Sequence, residues 1–313
     1  MPDASPAPPA HLPLLRNPRA LAALVAMPLF FATNLIVGRA AVATVSPWSL
    51  VFWRWVIALA LLLPFAYAGL IRHRTVLMAH WRQLIVLAVL AVVICGGGVY
   101  VALQHTTATN ANLIYATSTI MVVVFDALLA RRRLPFAHVA GALIGLCGIV
   151  VIVLQGDLGR LASFRFNVGD LGILAAAISW AAYSLILRKG PLVEIGTVTT
   201  FTAIVIAGIV VLAPLMLFEM AHEGHAPHGL QGWGAIVFLA IFPSVLAFTL
   251  YQYAVVQAGA SVTALFFYLL PVYGVALAVI VLGEELHGYH AIGLVLVLGG
   301  VMLATRPVKR ANR

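Results

Sequence analysis

The chain has 313 residues, of which 63% are hydrophobic and only 9% charged, with a formal net charge of +9 and a mean hydropathy of +1.08. A soluble domain carries about 25% charged residues, so the composition excludes an ordinary globular enzyme and points to an integral membrane protein. The positive charge is not a nucleic-acid footprint, because most of it falls on connections on one side of the predicted spans.

The N-terminal stretch PDASPAPPAHLP is proline-rich and reads as disordered. Residues 1–19 are taken as a cytosolic tail and not as a cleaved leader, because the apolar run that follows resembles a later span. Ten spans follow as uninterrupted apolar runs, at 20–40, 48–70, 83–104, 109–129, 135–154, 170–187, 196–218, 232–256, 260–282 and 288–305. Such runs lack the alternation of a membrane barrel. In lipid only helices remain to satisfy the backbone, and about 20 residues cross the bilayer. The expected fold is therefore an all-α integral membrane protein of ten transmembrane helices.

The chain repeats itself. His138, Gly141, Gly148 and Leu134 fall on His290, Gly293, Gly300 and Leu286 at a constant offset of 152, as from 138 to 290. The same offset carries Tyr100–His105 onto Gln252–Gln257, and an offset of 149 sets Arg39 on Arg188. Spans two and seven align by position only. The organisation is thus a first five-helix repeat over 20–154, an outer connection over 155–169, a second repeat over 170–305 and a basic tail over 306–313. Five crossings invert the second copy relative to the first, which predicts a pseudo-two-fold axis in the membrane plane.

With the N-terminus in the cytosol, 14 of the 18 Lys and Arg residues fall on cytosolic segments, and only Arg39, Arg160 and Arg165 fall outside. This bias predicts both termini inside. Arg132 and Arg133 align with Glu284 and Glu285, so the hinge charge reverses with the side it faces.

Chemistry-bearing motifs are sparse. There is no P-loop, dinucleotide fingerprint or HExxH pattern, no span holds two carboxylates, and no cofactor or metal is expected. Cys95 and Cys147 read as small packing residues. His138 and His290 read as interfacial, and His222, Glu223, His225 and His228 as an exterior loop and not a metal site. Two ionisable residues lie inside spans: Arg54 near the outer face, expected to bind backbone carbonyls or a partner helix, and Asp126, expected to pair with the Arg131–Arg133 cluster.

Small polar residues mixed with aromatics concentrate in spans one, three, four, six, eight and nine, whereas spans two, five, seven and ten are read as a mainly apolar, lipid-facing set. Each such residue alone reads equally as glue between helices. As a set they predict an inner ring around a cavity: Asn34, Tyr100, Asn112, Tyr115, Trp180, Tyr183, Tyr251, Gln252, Tyr268 and Tyr273 for binding. Gly97, within Gly96–Gly98, and Pro243 and Pro271 supply sites of movement or kinking, with Arg54 as a structural element.

Three groups of residues, Phe30–Asn34 in span one, Phe52–Trp55 in span two and the run from Tyr251–Ala254 through Ala258–Ser261 and Leu270–Val272 to Gly283–Glu284, carry a family likeness. On them the chain resembles the EamA-domain branch of the drug/metabolite transporter superfamily over all ten spans, and it is similar to the YddG-type amino-acid exporters. The first half departs from the pattern, with Thr119 in the place of Pro271 and Arg132 in the place of Glu284. The resemblance implies two inverted five-helix halves around a cavity opened alternately to each side. It also implies a bacterial inner-membrane location and export of a small-molecule substrate such as an amino acid. Other metabolite, drug or nucleotide-sugar classes stand as alternatives, and so does an enzyme acting on lipid-linked substrates. The expected partners are that substrate and the lipid bilayer, with no nucleic acid, and the expected assembly is a monomer.

Overall fold

The computed structural model describes residues 17–42, 44–106, 108–129, 136–157, 159, 167–222, 224–282, 285 and 287–305. The hinge residues Leu134, Arg131–Arg133, Gly283, Glu284 and Leu286, the outer-loop residues Glu223, Arg160 and Arg165, and both chain ends lie outside the described residues.

The described chain is helical throughout. The elements are α1 (Pro18–Ala41), α2 (Pro47–Arg72), α3 (Trp81–Leu103), α4 (Ala108–Leu129), α5 (Phe136–Val153), α6 (Val168–Ile186), α7 (Thr197–His222) and α8 (Gly229–Ala258). They continue with α9, in two pieces at Ala260–Phe266 and Leu269–Leu282, and α10 (Gly288–Ala304). Among the described residues eight helical runs are long and apolar enough to cross a membrane, and Gly288–Ala304 is a shorter apolar helix. The predicted connection at 71–82 holds a short helix, Arg74–Ala79, and Pro191–Val193 forms a single 3₁₀ turn.

The repeat reappears in the packing. Contacts of α1 with α8 and α9 have counterparts in those of α6 with α3 and α4, and contacts of α3 with α7 in those of α2 with α8. The pairs α2–α7, α4–α9 and α5–α10 join equivalent helices to each other. In the tight α5–α10 seam, a side chain on Gly141 would strike Gly300 and Ala304, and one on Gly148 would strike Gly293 and Val297. Because 141 corresponds to 293 and 148 to 300, these two contacts are one contact seen from each half, the pattern of an isologous interface. They also set the helices antiparallel, so the axis relating the halves runs across the helices. Bare glycines on both sides let the backbones meet, as in membrane helix pairs built on small residues.

The α2–α7 pair shows a correspondence that the apolar sequence hides. Pro64 and Pro214 sit inside these helices at an offset of 150, from 64 to 214. The bare Gly69 admits Thr199 at one end. At the other, equivalent end, Glu219 accepts from the backbone N–H groups of Ser49 at 2.9 Å and Trp48 at 3.2 Å. A carboxylate there satisfies two N–H groups that a helix start leaves without internal partners and complements the helix dipole. Ser46 and His225 add a reciprocal pair beside it, with Ser46 N–H donating to the His225 carbonyl and His225 N–H to Ser46 Oγ. Glu219→Ala is expected to cost about 1 kcal/mol, the usual worth of a helix cap, seen as a lowered Tm of the purified protein, while Glu219→Gln keeps part of it.

Two helices widen at matching places. Val89–Gly98 of α3 and Ala240–Leu246 of α8 are π-helical, and the 152-residue offset overlaps them. The expected kink at Pro243 takes this form instead. Proline supplies no N–H to the Leu239 carbonyl, and the Ser244 hydroxyl donates to it at 2.7 Å. At Pro271 the helix does break. The Phe267 carbonyl, which an N–H at 271 would have used, accepts from Leu270 N–H at 2.9 Å, and the chain turns at Phe267–Tyr268.

Candidate functional site

The middle of the bundle is an aromatic cluster drawn from both halves. Phe31 of α1 stands within 5.2 Å of the Phe248 and Phe267 rings, 5.8 Å of Trp180 and 6.3 Å of Tyr251, centroid to centroid. Trp180 lies 4.8 Å from Tyr251 and 5.5 Å from Tyr183. These edge-on and tilted pairs are the favoured geometries for aromatic rings. Local sequence accounts for the convergence: Trp180, Tyr183 and Ser184 on α6, and Phe248, Tyr251 and Gln252 on α8, follow i, i+3, i+4 spacing and so share a face.

Polar groups line the cluster. The Tyr251 and Ser184 hydroxyls hydrogen-bond to each other, and Ser184 Oγ also donates to the Trp180 carbonyl at 2.6 Å. Gln252 Nε2 donates to the Tyr183 hydroxyl at 3.0 Å. On the flank, Asn34 Oδ1 accepts from the Tyr100 hydroxyl at 2.8 Å and from Arg54 Nη1 at 2.9 Å, and Arg54 Nη1 also donates to Tyr100 at 3.2 Å. The Arg54 guanidinium lies 5.0 Å from the Trp55 ring centroid, within cation–π range. Trp55 in turn meets Phe248 at 5.3 Å, which joins this triangle to the rings.

Seven of the ten predicted binding residues therefore gather in one region: Asn34, Tyr100, Trp180, Tyr183, Tyr251 and Gln252 in the contacts above, and Tyr115 half-buried against the same core. Tyr268 is buried with its ring over Gly145 of α5. Tyr273 is half-buried, its hydroxyl donating to the Val25 carbonyl at 2.9 Å, and Asn112 is exposed. Gly97 underlies the Trp48 ring. Arg54, expected to bind backbone carbonyls or a partner helix, does the latter, holding the side chains of Asn34 on α1 and Tyr100 on α3. The sequence reading passed over Phe31, Trp55, Ser184, Phe248 and Phe267 as binding candidates. For Ser184 and Phe248 the i, i+3, i+4 spacing was the available signal; the other three look like ordinary apolar residues.

The two ends of the bundle are fastened differently. At one end Asp126 of α4 accepts from Ser261 Oγ at 2.6 Å and faces Arg188 Nη1 at 3.5 Å. The expected partners Arg131–Arg133 lie outside the described residues. At the other end are the Glu219 contact with α2 and a cap on α6. In that cap Asp170 and Asn167 bond reciprocally, and Asp170 also accepts from Thr106 and from Asn110 at 3.3 Å. His222 and His228 each bond a nearby backbone carbonyl.

The model of the EamA-like transporter family matches residues 18–154 and again 167–306. A Bacillus subtilis (strain 168) protein named "Uncharacterized transporter YyaM" is 26% identical over 289 residues, 91% of this chain and 93% of that protein. An Ancylobacter novellus protein named "Aromatic amino acid exporter YddG" is 30% identical over 209 residues, 67% of this chain and 71% of that protein. One solved crystal structure of a protein is 26% identical with a TM-score of 0.73, covering 91% of this chain and 96% of its own. With both halves matched, the chain belongs to the EamA-like transporter family.

Proposed function

We propose that the protein is a secondary transporter, not an enzyme, that exports amino acids or similar small amphipathic metabolites across the bacterial inner membrane by alternating access. The observation that carries this reading is the buried centre where Phe31, Trp180, Tyr183, Phe248 and Tyr251 from both halves meet hydroxyl and amide groups. Apolar walls with a few placed polar groups suit a small ligand with one apolar part and one polar part. The name of the Ancylobacter novellus relative supports an amino-acid cargo.

In this reading all ten helical elements cross the membrane, both termini are cytosolic, and the transporter acts as a monomer. The Asp126–Arg188–Ser261 cluster fastens the cytosolic end and the Glu219–α2 contact the outer end. Opening alternates between them, with Gly97, Pro243 and the break before Pro271 taking up the change.

Counterflow into proteoliposomes tests it. Vesicles loaded with unlabelled amino acids are expected to accumulate at least one labelled member of an amino-acid panel above protein-free vesicles. No accumulation with any of them removes the amino-acid cargo. A rate unchanged by a pH gradient assigns facilitated exchange in place of proton coupling.

A further inference from the structure

Arg54 is only 3% exposed and lies about two turns into a predicted span. A buried charge is costly unless it is paired and hydrogen-bonded, yet among the described residues no carboxylate pairs with it. Its two hydrogen bonds both leave from Nη1 and go to neutral groups, Asn34 Oδ1 and the Tyr100 hydroxyl. Nε is buried without a partner, and so is the indole N–H of Trp55, the next residue along. The Nε–Nη2 edge is the side of a guanidinium that takes a carboxylate with two parallel hydrogen bonds.

Where the neighbouring helix meets this edge it carries a glycine. Gly96 lies in the π-helical part of α3, and a side-chain carbon placed there would stand 3.3 Å from Val51 Cγ1 and 3.9 Å from both Arg54 Nη2 and Trp55 Nε1. Donors from two side chains thus converge on a spot where the neighbouring helix carries only a glycine, with the Val51 methyl group as its other wall. The bonds to Asn34 and Tyr100 hold the guanidinium in place, so its free edge is set before anything binds. The aromatic cluster begins next to it, where Trp55 meets Phe248.

We infer that the Nε–Nη2 edge of Arg54, with the Trp55 indole N–H beside it, is the receptor for a carboxylate on the transported molecule. This rests on the transport reading above and sharpens it: the cargo carries a free carboxylate, which docks on Arg54, and an apolar part, which lies among Trp180, Phe248 and Tyr251. Arg54 then acts in binding and is more than a brace between helices.

Two measurements test this separately from transport. Benzoate and benzamide are titrated against the detergent-purified protein, with thermal unfolding as the readout. Benzoate is expected to raise the Tm of the natural protein and benzamide to leave it unchanged. Arg54→Lys keeps the charge but loses the two-pronged edge, and is expected to weaken the benzoate midpoint at least about tenfold, a usual loss for one good charged hydrogen bond. Gly96→Ala leaves Arg54 intact and introduces a better helix former, yet fills the spot the donors share, with Val51 Cγ1 3.3 Å away as the neighbour that must give; it is expected to weaken benzoate similarly while the variant still unfolds cooperatively. If benzoate and benzamide act alike, or both variants keep the natural midpoint, the carboxylate receptor is overturned. Counterflow then separates the two claims. If no amino acid exchanges while benzoate still depends on Arg54, the transport reading fails and the receptor stands. If phenylalanine exchanges and phenylalaninamide competes with it equally, the receptor fails and the transport reading stands.

Discussion

Two adjacent glycines in α10 are expected to respond in opposite directions to the same substitution. Gly300→Ala puts a methyl group against the backbone of α5, 2.8 Å from Gly145 Cα and close to the Gly141 carbonyl. Neither atom is the free end of a side chain, so the helices must separate. Overpacking of this kind costs about 1–3 kcal/mol, against a gain of about 1 kcal/mol from replacing glycine inside a helix. Separation also spreads along the seam, because the same stripe holds Gly293, where an added side-chain carbon would stand 2.9 Å from the Gly148 carbonyl. Gly299→Ala meets nothing within 4 Å and keeps only the gain. Thermal unfolding in detergent is expected to show a lower Tm for Gly300→Ala and an equal or higher one for Gly299→Ala. Two shifts of the same sign would mean that the seam does not hold the halves together. Gly141→Ala, the partner contact in the other half, is expected to follow Gly300→Ala.

Trp180→Ala is expected to have the largest effect at the centre. Trp180 is 4% exposed and touches the rings of Phe31, Tyr183, Phe248, Tyr251 and Phe267. Removing a buried tryptophan to Ala costs about 3–5 kcal/mol, in lost contacts and a residual cavity, so loss of transport in that variant alone would not identify a binding residue. Trp180→Phe keeps a ring in place and is expected to cost less. Its half-saturating concentration in counterflow is expected to rise about tenfold while the protein remains folded, as for a lost aromatic contact to a ligand. An unchanged concentration dependence in Trp180→Phe would assign Trp180 to the core and remove it from the site.

Much of this arrangement was legible in the sequence because membrane helices are written as long apolar runs, and the runs at 48–70 and 260–282 fall on α2 and on both pieces of α9. The 152-residue offset paired Gly141 with Gly293 and Gly148 with Gly300, but that these glycines face one another across α5 and α10 came from the packing. The correspondence of α2 with α7 was harder to read. Lipid-facing aliphatic positions are interchangeable, and only Pro64 and Pro214 mark the register. At the centre, tyrosine, tryptophan and glutamine stood out against an aliphatic background, whereas Phe31 and Phe267 did not, because phenylalanine is at home facing lipid as well as core. Asn112 and Tyr273 are polar like the others, but composition does not say which way a helix face turns; Asn112 is exposed and Tyr273 reaches a backbone carbonyl. Nothing in the sequence singles out Glu219, because its partners are backbone N–H groups more than 160 positions away and leave no mark in composition.

The seam between α5 and α10 bears on how such a molecule would move. Gly141 faces Gly300 as Gly293 faces Gly148, so the contact is unchanged when the halves trade places. A tilt of one half against the other about this line has two end points with the same seam, one the counterpart of the other. In the alternating access proposed above, a gap widened at one mouth would be matched by closure at the opposite mouth, and the glycine stripe would be a fulcrum that need not be taken apart in either position. What distinguishes the end points must then come from residues that have no counterpart, such as Pro271 against Thr119, and Arg54, whose equivalent region in α7 carries only Ala203, Ile204 and Val205. The fold would supply a balanced rocker, and these few unmatched side chains would weight it.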